Sequence, residues 1–171
     1  MADMSTDTQP RPIARNLATL VGGGLALPGR VPGEERVEVS ASRLPFACAT
    51  VANQLDARLA TMIGEDERAT SDSYRLSYLF APAAGGWATI EAAISPRDAS
   101  FPSVTPLVPA ANWYEREVRD LLGMEPLGHP DPRRLVLHDD WPDDVHPLRK
   151  DFDPATPVPR VQRDPYRFHA L

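Results

Sequence analysis

A chain of 171 residues holds one domain with extensions and leaves little room for a second core. Its hydrophobic fraction of 42% can fill that core, and its net charge of −6 excludes electrostatic binding of nucleic acid or anionic membrane by the chain as a whole. One cysteine, Cys48, cannot hold an iron–sulfur cluster or a Cys-rich zinc site and cannot close an internal disulfide, which suits a reducing, cytoplasm-facing compartment.

Residues 1–33 are rich in Pro, Gly, Thr and Asp and read as a flexible N-terminal arm. The apolar stretch 17–27 lies behind Arg11 and Arg15 but is interrupted by Gly22, Gly23 and Gly24. No run reaches the ~18 apolar residues that cross a bilayer. Alternation of Val37 and Val39 with polar neighbours predicts a strand over 36–40. Ser42 then caps a predicted helix that runs to Ile63 and stops at Gly64, with Cys48, Val51, Leu55, Leu59 and Met62 forming one stripe.

A hairpin follows. Tyr74, Leu76, Tyr78 and Phe80 share one face of a strand, 83–86 turns, and 87–94 returns with Ile90 and Ile94 inward. Thirteen of the nineteen prolines lie from Pro96 to Pro165, so only one further helix fits, opening near Ala110 and ending at Gly123. Glu115 with Arg119 and Arg116 with Asp120 have the spacing of i,i+4 ion pairs on it. The predicted fold class is α+β: a small sheet with a hairpin packed by two helices over 34–125, then an extended proline-rich belt over 126–171 that a partner orders.

The chemistry-bearing clusters are few. Glu115, Glu117 and Asp120 lie on one amphipathic helix, which does not build the two-carboxylate pocket of a hydrolase. His129, His138 and His146 with nearby aspartates offer donors for a small metal-dependent hydrolase, but at wide, irregular spacings. Arg149 and Lys150 form a basic pair whose field Asp143, Asp144, Asp151 and Asp153 cancel, so the block fits a peptide lying across a partner better than a phosphate site. The chain has no CxxC pair and no phosphate-binding glycine loop.

Glu115-Arg116-Glu117, then Asp120-Leu121-Leu122, then His129, Arg133 and Leu135-Val136 resembles the signature of the 30 kDa subunit family of respiratory complex I. Pro147-Leu148-Arg149-Lys150-Asp151-Phe152 is similar to that family's second block. Phe101-Pro102-Ser103-Val104-Thr105-Pro106 and the stretch from Leu135 to Pro142 look closest to the equivalent domain of formate-hydrogenlyase-type and other membrane-bound nickel–iron hydrogenases.

The resemblance implies a non-catalytic peripheral-arm subunit with no cofactor of its own, on the cytoplasmic face of the inner membrane. Its implied partners are a separate large (49 kDa-type or hydrogenase) subunit and neighbouring iron–sulfur subunits. Those partners carry the iron–sulfur clusters and, in the hydrogenase branch, nickel–iron. Contact with the membrane is only through the complex, and nucleic acid is not a partner. The implied partner-binding residues are Glu115, Arg116, Glu117, Asp120, His129, Arg133, Arg134, Leu148, Arg149, Lys150, Asp151 and Phe152. The alternative branch is the 30 kDa-type subunit of a true NADH:quinone oxidoreductase.

Overall fold

The computed structural model describes residues 17–161. Its centre is the anticipated hairpin, β4 (Tyr74–Pro82) and β5 (Trp87–Ile94), turned through Gly85 and Gly86 at φ 92° and 78°. Tyr74 faces Ile94, Leu76 faces Ala92 and Tyr78 faces Ile90 across this antiparallel pair, and all six are buried. The period of two puts these side chains on one face of the sheet and Arg75, Ser77 and Glu91 on the other.

Three more strands complete the sheet: β1 (Leu25–Leu27), β2 (Glu34–Glu38) and β3 (Ala57–Asp66), in the order β1-β2-β5-β4-β3. β2 runs parallel to β5, with Val37 opposite Ile90, and the other neighbours are antiparallel. A second, two-stranded parallel sheet pairs β6 (Ser100–Pro102) with β7 (Glu125–Leu127).

Two helices cover the apolar face. α2 (Leu44–Gln54) packs on β3, β4 and β5 through Leu44, Ala47, Cys48 and Val51, and α4 (Asn112–Leu122) packs on β3 through Val118 and Leu122. The α+β class and the hairpin beneath two helices match the sequence reading. The opposite face carries Glu91, fully buried under Arg36, which reaches it with Nε at 3.1 Å and Nη2 at 2.8 Å. Arg75 links Glu38 and Glu67 at 2.9 Å each beside it.

Several boundaries differ from the sequence reading: the strand predicted over 36–40 is β2 at Glu34–Glu38, and α2 is entered through a 3-10 turn at Ala41–Arg43 with no cap bond from Ser42. The predicted helix to Ile63 ends at Gln54, and Leu59 and Met62 belong to β3, opposite Phe80 and Tyr78. Asp56, at φ 45°, turns the chain out of the helix, in a left-handed conformation that Asp tolerates. Pairing with nearly the whole of β4 outweighs the helical spacing of those apolar residues.

Gly64 is therefore not a helix stop. It lies in β3, where a Cβ would meet Leu122 Cδ1 at 2.8 Å and Val118 Cγ2 at 3.0 Å, so its missing side chain lets α4 approach the sheet.

The predicted arm over 1–33 is ordered wherever it is described. α1 (Leu17–Leu20) buries Leu17, Val21 follows it into the core, and β1 forms the sheet edge. Gly24 sits at φ 144°, where a Cβ would fall 2.6 Å from Val37 Cγ2, so this last glycine of the triplet provides close backbone contact with β2 rather than slack. Residues 1–16 of that arm, and 162–171 of the predicted belt, lie outside the described residues. A short helix, α3 (Arg68–Ser71), joins β3 to β4. After β7, residues 128–161 contain no helix or strand.

Candidate partner interface

The site is built on α4, which Pro109 opens through a 3-10 turn at Pro109–Ala111 and Gly123 closes in the left-handed region at φ 72°. Neither i,i+4 pair forms on it. Glu115 points inward, and its carboxylate accepts Tyr78 O–H at 3.1 Å, Ser103 O–H at 2.6 Å, Val104 N–H at 2.6 Å and Thr105 O–H at 2.7 Å. Four donors thus converge on one fully buried carboxyl group, so its oxygens are satisfied within the chain. Arg119 turns instead to Glu125 at 2.7 Å and to the carbonyl of Pro132.

Arg116 and Asp120 divide the backbone of the following loop between them. Arg116 donates from Nε to the carbonyl of Arg133 at 2.8 Å and from Nη2 to that of Arg134 at 2.9 Å. Asp120 Oδ2 accepts the N–H groups of Leu135 at 2.9 Å, Val136 at 2.8 Å and Leu137 at 3.3 Å. A loop returning over the helix offers backbone partners that a helix-surface pairing rule does not contain, which is why the ion pairs give way.

His129 is inside as well, with its side chain 1% exposed. Asp131 N–H donates to Nδ1 at 3.0 Å, so Nε2 carries the ring proton and gives it to the carbonyl of Asn112 at 3.2 Å. Its other neighbour is Glu115, whose Oε2 lies 3.8 Å from Nε2. His138 belongs elsewhere, against Asp140 and the edge of Trp141. The histidines do not converge, and among the described residues no group of three or more His, Cys, Asp or Glu is placed to hold a metal ion.

The second block packs along the same helix end. Arg149 Nε donates to the carbonyl of Leu122 at 2.8 Å, the Lys150 N–H to Asp66 Oδ2 at 2.9 Å, and Arg68 bridges Asp66 and Asp151 at 2.7 and 2.8 Å. The Arg68 guanidinium and the Lys150 amide hold the Asp66 carboxyl well below the usual carboxylate range, against a smaller opposing effect of burial. Arg134 pairs with Asp143 at 2.5 Å and Arg133 with Asp131 at 2.7 Å. Glu117, Arg133, Lys150 and the apolar side chains of Leu127, Leu135, Val136 and Leu148 remain exposed, while Phe152 is half-buried. Trp113, 70% exposed at the start of α4, is an apolar surface residue that the sequence reading passed over. The spacing of the helix stripe is the signal that leaves it outward.

Thus Glu115, Arg116, Asp120, His129 and Arg149, which the motif singles out, spend their polar groups inside the chain. Residues 37–158 match the family described as respiratory-chain NADH dehydrogenase, 30 Kd subunit.

The chain belongs to this family.

Hydrogenase-4 component G of Escherichia coli strain K12 is 39% identical over 165 residues, covering 90% of this chain and 30% of that protein. Formate hydrogenlyase subunit 5 of the same strain is 44% identical over 114 residues, covering 64% of this chain and 20% of that one. The chain thus spans less than a third of the length of these relatives. A mitochondrial NADH-ubiquinone oxidoreductase 30.4 kDa subunit from Neurospora crassa is 54% identical over 63 residues, covering 37% of this chain and 21% of that one. Among solved structures, a chain of the membrane-bound sulfane sulfur reductase, an archaeal respiratory membrane complex, has the same fold. It aligns with a TM-score of 0.66 at 19% identity, over 89% of this chain and 94% of that one. The trypsin-resistant fragment (1–134) of Nqo5 aligns with a TM-score of 0.52 at 24% identity, over 63% of this chain and 89% of that one.

Proposed function

We propose that this family member is a non-catalytic peripheral subunit of a membrane-associated, hydrogenase- or formate-hydrogenlyase-like complex, where it holds the large subunit in place. The observation that carries this reading is the length of the likeness to hydrogenase-4 component G. An alignment over 90% of the chain necessarily includes both α4 and the 129–152 loop. The identity to the 30.4 kDa subunit of NADH-ubiquinone oxidoreductase is higher, 54%, but covers only 37% of the chain. It supports the second reading, the 30 kDa-type subunit of a true NADH:quinone oxidoreductase.

In the proposed assembly the chain carries no redox centre, and iron–sulfur clusters and nickel–iron reside in the partner subunits. The proposed place is peripheral, on the cytoplasmic face; no helix among the described residues is long and apolar enough to cross a membrane. The outward-facing Glu117, Arg133, Leu148 and Lys150, with half-buried Phe152, are the proposed contacts to the large subunit. Arg134 and Asp151 sit at their margin. Glu115, Arg116, Asp120, His129 and Arg149 act indirectly, by shaping the surface on which those contacts stand.

The test is affinity capture of the tagged chain from mild-detergent membranes of its host, read by mass spectrometry. A large subunit with two CxxC pairs supports the hydrogenase branch. One without them, recovered with flavin and NADH-oxidising subunits, supports the quinone-reductase branch. Recovery of no large subunit overturns both.

A further inference from the structure

We infer that residues 129–152 form a strap that finishes helix α4 in cis, so that the strap is already ordered on the α+β domain before any partner binds. The inference stands apart from the choice of complex, because every contact it uses lies within this chain.

A helix leaves its last four carbonyls without intrahelical partners. In α4 these belong to Arg119, Asp120, Leu121 and Leu122. Gly123 N–H closes on the first at 3.0 Å. The other three are taken by the strap: His146 Nδ1–H donates to Asp120 at 2.9 Å, Leu148 N–H to Leu121 at 2.9 Å, and Arg149 Nε to Leu122 at 2.8 Å. Three acceptors at the buried end of a helix thus depend on a segment about twenty-five residues downstream. The dependence runs both ways, since Arg116 and Asp120 supply the partners of five backbone groups between Arg133 and Leu137.

The proline content of this segment points to a tail that something else must order. The hydrogen bonds assign that role to the helix next to it. A run such as Leu135-Val136-Leu137, barred by its surroundings from helix or sheet, needs its N–H groups answered. One carboxylate oxygen answers all three. Fixing the backbone in this way leaves Leu135 and Val136 outward, 39% and 51% exposed.

The experiment is amide hydrogen exchange on the full chain without partners, comparing Leu135, Val136 and Leu148 with Tyr78 in β4. The expected result is that the strap amides exchange on the order of 100-fold or more slower than an unstructured peptide. In Asp120→Ala, Leu135 and Val136 exchange about 10-fold or more faster than in the parent while Tyr78 keeps its protection. Unstructured-peptide rates at Leu135, Val136 and Leu148 in the parent chain, with Tyr78 protected, would overturn the inference. That comparison needs no variant, so it decides the matter even if Asp120→Ala does not fold.

Discussion

The imidazole of His146 donates its Nδ1–H to the main-chain carbonyl of Asp120 at 2.9 Å, and this bond works with a neutral ring. Burial is the largest influence on the ring and holds its pKa below the ordinary 6.5. Arg149 and Arg134 press in the same direction, while the Asp120 carbonyl and Asp144 oppose them. A histidine whose folded pKa is depressed contributes its stability in full above the unfolded value. It loses that stability as pH falls through the folded one. The urea midpoint of the chain should therefore begin to drop just below pH 6.5, before the carboxylates titrate, and His146→Gln should flatten that part of the profile. Parallel pH profiles for the two proteins would remove His146 as the cause.

Glu115→Gln replaces a carboxylate that accepts from four donors with an amide whose NH2 must face two of them. Ser103 and Thr105 share Oε2, and Tyr78 and Val104 share Oε1, so the amide must keep its oxygen toward the obligate donor Val104 N–H and turn its NH2 to the Ser103 and Thr105 hydroxyls, whose own protons then lose their acceptor. The expected cost is about 1–3 kcal/mol, the penalty for buried polar groups left without partners. Chemical denaturation checks this, and a loss under about 0.5 kcal/mol would mean that the pocket relaxes or admits water.

How much of this was visible beforehand depends on the range of the contact. The hairpin and α4 are legible because alternation from Tyr74 to Phe80 and the Gly123 stop are local signals. The boundary between α2 and β3 is not, because Cys48, Val51, Leu55, Leu59 and Met62 keep helical spacing and only pairing with β4 decides against the last two. The motif residues were legible as important and misleading as to why. On a helix wheel, Arg116 and Asp120 look like exposed partners for each other. Their actual partners are carbonyls and amides of residues 133–137, which no periodicity encodes. The same holds for the glycines, since nothing near Gly64 or Gly24 in sequence reveals which side chain presses against it.

Gly64→Ala tests the closeness of α4 to β3. An added Cβ falls 2.8 Å from Leu122 Cδ1, 3.0 Å from Val118 Cγ2 and 3.2 Å from Met124 Cε, at three buried side chains. Overpacking of this kind costs about 1–3 kcal/mol. The readout is a lowered thermal midpoint, since the helix must lift from the strand. Because α4 carries the strap, exchange at Leu148 should rise with it. An unchanged midpoint would show that the interface absorbs a methyl group by shifting its side chains.

Leu148→Glu separates the proposed surface from the fold beneath it. The Leu148 amide is bound to the carbonyl of Leu121, which fixes the backbone, while the side chain is 54% exposed. A charge on such a side chain should change stability by no more than about 0.5 kcal/mol. In an apolar contact with a large subunit the same charge loses its water and finds no cation, so capture of that subunit by the tagged chain should fall sharply. Arg116→Glu asks a different question, because it removes the donors to two strap carbonyls and sets a carboxylate beside Asp131, which Arg116 contacts at 3.2 Å. That variant should lose stability as an isolated chain, with weaker capture following from it. Normal capture with Leu148→Glu, at normal stability, would move the partner surface away from the strap, toward the exposed Trp113 at the other end of α4.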